Sequence, residues 1–357
     1  MRLLDRYIFK QLAPSFAWGV GAFTVLMLGT QALYDLAKLA AQGAPFGAIM
    51  RLFLLGLPSI IVLTFPMAML LAALLGFTRL SSENEISALY ASGISLYRVL
   101  VPVVAMAVLA AVLTFAFNEK VVPVTSASAY EIRSEISKSA APKRAVIMPE
   151  YEANELTRLV VAQHFNRRRQ TMELVTFFVF KRGKLVGYVE AQEAQYDGAG
   201  KWIFRKGTTV VPGERGYLTA GFEQQTFALH RTPAQVAQLQ AKPENLSFRQ
   251  LQQLIATQER LGVDTLELQV RLHDKIALPF ACLVFALIGA PLGLRPHRGG
   301  SALGLGLSIL IIFAFYVFGH YMHILGASGS VSPAVASWLP NIVGLVAGIG
   351  LSIKAPK

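Results

Sequence analysis

The sequence predicts an α-helical integral membrane protein in which six transmembrane helices are divided three and three by an inserted all-β, jellyroll-like domain. Three observations carry this expectation. Of the 357 residues 54% are hydrophobic and 15% charged, whereas an ordinary globular domain carries about 25% charged residues. The apolar residues collect in six separate runs rather than spreading evenly. Between the third and fourth runs, a polar stretch holds 22 of the 33 basic and 17 of the 21 acidic residues. A soluble two-domain enzyme and a disordered chain are both excluded by this distribution.

The runs are Ala13 to Tyr34, Leu52 to Gly76, Val99 to Phe117, Ile276 to Leu294, Ser301 to Leu325 and Ala334 to Ser352. Each is close to the ~20 residues of helix that cross a hydrocarbon core. None contains Asp, Glu, Lys or Arg, so no charge inside a span marks an ion path. The division is therefore 1–117 for the first three helices, 118–275 for the polar domain and 276–357 for the last three. An uncleaved first helix is expected rather than a signal peptide, because its apolar stretch exceeds an h-region and no A-x-A site follows promptly. Pro58, Pro66 and Pro102 lie inside spans, where neighbouring helices can satisfy the carbonyls they free.

Orientation follows from the short connections. With the N-terminus cytoplasmic, the inner segments hold Arg2, Arg6, Lys10, Arg79, Arg98, Arg295, Arg298, Lys354 and Lys357, and the short outer loops only Lys38 and Arg51. Positive charge favours the cytoplasmic side. Both termini are then cytoplasmic and the insert lies outside, in the periplasm of a double-membraned bacterium. The net charge of +12 thus reads chiefly as a topology signal, and nucleic acid is not called for.

Within the insert, short strands are expected at Ala145 to Met148, Arg158 to His164, Met172 to Phe180, Leu185 to Ala191, Trp202 to Lys206, Thr208 to Val211 and Tyr217 to Leu229. Glycine-containing breaks at 181–184, 197–200 and 212–216 separate them. Val175, Phe177 and Val179 alternate with Thr176, Phe178 and Phe180, so both faces of that strand are apolar, as in a strand between two sheets or beside an apolar groove. A sandwich or jellyroll-like sheet follows. Ser247 and Gln250 have capping-box spacing for a connecting helix over about 247–262, ended by Gly262. Arg167-Arg168-Arg169 is a turn-tip charge run, solvated or touching a sugar.

Between the second and third runs, Ser82 and Glu85 have capping-box spacing and Gly93 sits where a helix would stop, predicting a helix over about 82–93. Ile86, Leu89 and Tyr90 share one face at i, i+3, i+4. Such a helix suits docking into a groove on a partner, or else lies on lipid with Glu85 closing its own cap.

Several motifs in this order resemble the LptF/LptG lipopolysaccharide export permease family. They are Leu4-Asp5-Arg6-Tyr7-Ile8, the loop from Asn84 to Gly93, Gly289-Ala290-Pro291-Leu292-Gly293-Leu294-Arg295, the run from Gly299 to Gly304, and Trp338-Leu339-Pro340-Asn341. The resemblance implies a half-transporter of the inner membrane that pairs with a second permease of the family, as a hetero- or homodimer. It further implies a dimeric cytoplasmic ABC ATPase as partner, lipopolysaccharide as cargo, and a periplasmic jellyroll that hands the lipid to bridge proteins of similar jellyrolls. On the same ground the loop is a coupling helix whose carboxylate engages the ATPase. Glu85 matches that position, with Glu83 its less well placed neighbour and Ile86, Leu89 and Tyr90 as accompanying contacts. The implied lateral gate is formed by spans one and five.

No catalytic residue, metal site or cofactor is expected. Gly183-Lys184 is followed by Leu185 and Gly200-Lys201 by Trp202, so neither glycine–lysine pair fits a P-loop, and energy must come from a partner or a gradient. Lys38 and Arg51 are candidates for lipid head-group phosphates, or ordinary anchors of helix ends. His320 and His323 have metal-compatible spacing, but no carboxylate or thiolate lies beside them in sequence, which favours interfacial histidines. Gly19, Gly21, Gly304 and Gly306 allow close helix approach, and Cys282 reads as a small buried apolar residue. Two rival functions stay open: a non-transporting structural or regulatory membrane protein whose outer domain binds a partner, and a gradient-driven lipid carrier.

Overall fold

The computed structural model describes residues 3–41, 43–136, 146–152, 155–166, 169–198, 200–213, 216–229, 231–233, 235–236, 243–260, 263–294 and 300–354. Arg2, Ala145, Arg167, Arg168, Gly262, Arg295, Arg298, Gly299 and Lys357, named above, lie outside these residues. The described chain forms two units, 1–126 with 266–357, and 127–265.

The first unit is helical. It comprises α1 (Leu3–Met27), a π-helical turn Leu28–Ala32, α2 (Leu33–Ala41), α3 (Phe46–Ser82), α4 (Glu85–Ala91), α5 (Leu96–Ala116), a second π-helical turn Phe117–Val121 and the start of α6 (Val122–Ile136). After the second unit come α8 (Leu266–Gly293), α9 (Gly300–Ala327) and α10 (Pro333–Ile353). Among the described residues six helices are long and apolar enough to cross a membrane. They extend past the apolar runs, because backbone hydrogen bonding continues into polar flanks once a helix is nucleated. Thus α3 begins six residues before Leu52 and runs unbroken through Pro58 and Pro66.

Burial ranks these helices. Within its most apolar stretch α3 is 78% buried and α8 67%, whereas α1 and α9 are each 17% buried. The centre is therefore α3 against α8, and glycine makes that contact possible. A Cβ built at Gly289 would lie 2.7 Å from the Leu70 carbonyl oxygen, and one at Gly293 2.5 Å from that of Leu74. Dispersion and close approach hold helices together where lipid offers no hydrophobic contrast. Polar side chains add ties: Ser337 donates to the Val270 carbonyl at 3.0 Å and Asn341 to that of Ala277 at 2.8 Å, joining α10 to α8.

The second unit carries one antiparallel sheet whose strands lie side by side in chain order: β1 (Val146–Glu152), β2 (Glu155–Asn166), β3 (Thr171–Lys181), β4 (Lys184–Tyr196), β5 (Lys201–Gly213) and β6 (Gly216–Ala228). The two strands expected at 202–206 and 208–211 are one, β5. Its neighbours β4 and β6 supply ladder partners on both sides of Lys206, so pairing continues across the expected break.

How can a single sheet enclose a core? Leu174 in β3 and Lys206 in β5 both have left-handed backbone, φ 50° and 49°. With Gln192 they occupy one row, between Glu173–Glu193–Arg205 and Val175–Ala191–Gly207. Across that row the buried positions change parity: Phe177 and Val175 give way to Met172, Val189 and Ala191 to Ala194, Val160 and Ala162 to Phe165. The sheet is creased there. Phe177 pairs with Val189, and Val189 with Thr209, which is five residues along β5 from Phe204. In a flat sheet the Cα atoms of Phe177 and Phe204 would be about 19 Å apart, from two strand spacings and five residue rises. Their rings instead meet at 6.2 Å, and Phe177 reaches Phe227 at 5.0 Å. The creased sheet folds over itself, so two apolar half-faces share one core with Trp202 and Phe204 fully buried. Val175, Phe177 and Val179 face that core, while Phe178, on the other face of β3, meets Tyr188 with ring centroids 5.9 Å apart.

After the sheet, α7 (Phe248–Arg260) begins with the reciprocal capping box: the Ser247 amide donates to Gln250 Oε1 at 2.9 Å, and the Gln250 amide to Ser247 Oγ at 3.2 Å.

Candidate functional site

The connection between α3 and α5 builds a compact polar site. Its first corner is Asn84, whose left-handed backbone, φ 58°, turns the chain from the last residue of α3 into the first turn of α4. The Asn84 amide donates to the Ser81 carbonyl at 3.1 Å, and its own carbonyl accepts from Ala88. Ser82 does not cap α4 as its spacing predicts. Its hydroxyl donates back to the Arg79 carbonyl at 2.9 Å, because Ser82 still belongs to α3. The helix is accordingly the seven residues Glu85–Ala91.

At the far end Gly93, φ 77°, closes α4. Its amide donates to the Tyr90 carbonyl at 2.9 Å and the Ile94 amide to that of Leu89 at 3.0 Å, the paired bonds of a Schellman cap. A seven-residue helix is unstable alone, so packing must hold it. Ile86 is buried, and Leu89, Tyr90 and Ile94 pack on the same core as Ile8, Leu12, Phe77, Leu80, Val99 and Leu294.

Ile86, Leu89 and Tyr90 do share a face, but it points into the chain's own core. The Tyr90 hydroxyl is buried there without a hydrogen-bond partner among the described residues, and burial pushes its phenol above the usual range. What α4 leaves outward is small: Ser87, Ala88 and Ala91, beside the exposed Glu83 and the half-buried Glu85.

The charges at this end sort themselves into pairs. Glu83 accepts from Arg79 at 2.9 Å. Asp5, on α1, lies 2.6 Å from Arg98, on α5. Glu85 is held differently: the Tyr7 hydroxyl lies 2.7 Å from each of its carboxylate oxygens and donates to them. A phenol satisfies lone pairs without cancelling charge. Among the described residues, Glu85 forms no ion pair, and its carboxylate is met by a neutral hydroxyl.

Lys38 and Arg51 lie near the opposite ends of their helices from this site. Lys38 is on α2 and Arg51 in the second turn of α3; both are exposed, and neither forms an ion pair among the described residues. The two helices flank the 42–45 connection, so their sequences approach there.

Sequence reasoning missed three features. Tyr7 was seen only as part of a motif, since a partner 78 residues away leaves no local signal. His323 has a carboxylate beside it after all: Nδ1 lies 3.1 Å from Asp274 Oδ2, because α8 begins ten residues before Ile276 and carries Asp274 alongside α9. Lys275, one residue outside the predicted span, is 5% exposed and donates to Asn118 in the second π-helical turn at 3.0 Å. Among the described residues no group of three metal-ligating side chains forms.

Comparison with known proteins supplies the context for these groups. The model of a family described as lipopolysaccharide export system permease LptF/LptG matches residues 6–354. The lipopolysaccharide export system permease protein LptG of Escherichia coli K12 is 24% identical over 352 residues, covering 95% of this chain and 94% of that protein. Its namesake in Haemophilus influenzae is 23% identical over 327 residues, 88% of each.

Proposed function

The chain belongs to the lipopolysaccharide export system permease LptF/LptG family, and from that premise we propose that it is the transmembrane permease subunit of an ATP-driven lipopolysaccharide exporter. It sits in the bacterial inner membrane with both termini cytoplasmic and the β unit periplasmic, as the distribution of short-loop Lys and Arg favours. A cytoplasmic ABC ATPase dimer supplies the energy, and a second permease of the family completes the pathway. The β unit passes the lipid to a bridge of jellyroll proteins.

The observation that carries this reading is the state of Glu85. A short helix locked onto the ends of α1, α3, α5 and α8 is a rigid lever. It carries one carboxylate that meets a neutral hydroxyl and forms no ion pair among the described residues. A cation on a soluble partner would complete it, with a charge-assisted hydrogen bond. Glu83 is the weaker candidate, because Arg79 already occupies it. The outward residues are too small and polar to grip lipid, which disfavours a helix lying on the membrane surface.

Lys38 and Arg51 are the proposed contacts for lipid phosphates at the outer leaflet. Both cations are exposed and form no ion pair among the described residues, which suits an anionic head-group.

Purification from native membranes tests the proposal. An ABC ATPase and a second permease of the same layout are expected to accompany the wild-type chain, and the ATPase to be lost from Glu85→Arg. Recovery of the chain alone, or with a full complement in the Glu85→Arg variant, would overturn it.

A further inference from the structure

At the α4 end of the bundle, the described acidic groups are treated unequally. Asp5 and Glu83 are each matched by an arginine, and Glu85 by a neutral hydroxyl. We propose that Tyr7 is a positioning residue for Glu85: its hydroxyl fixes the carboxylate's direction while leaving the charge available to a cationic side chain of the ATPase. The inference rests on the reading of Glu85 as the coupling carboxylate.

Geometry supports the role. Tyr7 is 45% exposed and is not part of the buried core of this end, while its hydroxyl is bonded to Glu85. The next residue, Ile8, and Leu12 beyond it are fully buried in one core with Phe77, Leu80 and Ile86, so the helix that carries the hydroxyl is packed against α4. Asp5 and Arg98 pin the same turn of α1 to the start of α5. The phenol is thus held from both flanks of α4.

A single O–H cannot donate fully to two oxygens at once. Placed 2.7 Å from both, it centres the carboxylate and leaves further lone pairs on each oxygen for a partner. A cation in the same place would orient Glu85 equally well and cancel the charge that the partner needs. Tyrosine separates orientation from neutralisation.

Two substitutions at position 7 distinguish these effects in the intact complex, with this chain, its partner permease and the ATPase held in nanodiscs. Tyr7→Phe removes only the hydroxyl, and ATPase affinity is expected to fall about fivefold, the scale of one ordinary net hydrogen bond. Tyr7→Arg supplies a cation, and affinity is expected to fall at least as far as in Glu85→Gln. In a Glu85→Ala background, Tyr7→Phe is expected to change nothing further. Full affinity in Tyr7→Phe alongside a clear loss in Glu85→Gln overturns the role of Tyr7 and leaves the Glu85 reading intact. An equal loss from Tyr7→Phe in both backgrounds makes Tyr7 merely structural. No loss in Glu85→Gln overturns the Glu85 reading, and the Tyr7 role with it.

Discussion

Neutralising Glu85 and Glu83 separately should produce unequal losses, although the two carboxylates are only two residues apart. Glu85→Gln keeps a side-chain oxygen for the Tyr7 hydroxyl and changes little but charge. If that charge meets a partner cation, the lost charge-assisted hydrogen bond is worth about 1.5–3 kcal/mol, or roughly 10- to 150-fold in affinity. Glu83 is already spent on Arg79 in a pair whose side chains are 45% and 65% exposed. Such a surface pair contributes about 0–1 kcal/mol, so Glu83→Gln should cost less than about fivefold. The assay is titration of purified ATPase onto nanodisc-held permease pairs at fixed ionic strength, since exposed charge is screened by salt. A Glu83→Gln loss equal to or larger than that of Glu85→Gln would refute the assignment of the uncancelled charge.

Further predictions concern the scaffold and the lipid. Lys206→Val places a β-branched side chain at φ 49° and should destabilise the β unit by about 1–2 kcal/mol despite the β propensity of Val. Lys206→Gly should stay within about 1 kcal/mol of wild type; urea unfolding followed through Trp202 fluorescence measures both. Gly293→Ala should lower the thermal unfolding midpoint in detergent, because its Cβ would meet the Leu74 carbonyl oxygen at 2.5 Å, while Gly21→Ala, with no atom within 4 Å, should not. Reversing both outer cations, Lys38→Glu with Arg51→Glu, should reduce photocrosslinking to lipopolysaccharide with ATPase affinity unchanged; undiminished crosslinking removes them from the lipid path.

The membrane helices were legible because lipid acts on hydropathy alone, and a run such as Leu52 to Gly76 carries that signal without tertiary help. Their ends were less so: α8 reaches back to Leu266 because Arg271 pairs with Glu267 within the helix, while Asp274 and Lys275 find partners outside it in His323 and Asn118. The period of Ile86, Leu89 and Tyr90 revealed an amphipathic helix, but periodicity says nothing about what the apolar face meets. The Arg79–Glu83 pair was readable at i, i+4 and could have demoted Glu83 at once. By contrast, Tyr7–Glu85 and Asp274–His323 join residues 78 and 49 positions apart, and nothing local announces them. The crease was equally silent, since Leu174 and Lys206 adopt a backbone that neither favours and only the shared aromatic core compensates.

The central claim is that this permease moves lipopolysaccharide on energy from ATP hydrolysed by a partner. It is tested most directly by loading proteoliposomes with lipopolysaccharide and the complete complex and measuring lipid delivered to an external acceptor jellyroll. Release that requires ATP, continues in the presence of an uncoupler and falls at least tenfold with Glu85→Gln is the predicted result, the fall being the lower end of one charge-assisted bond. Release without ATP, or release abolished by the uncoupler, would contradict the account.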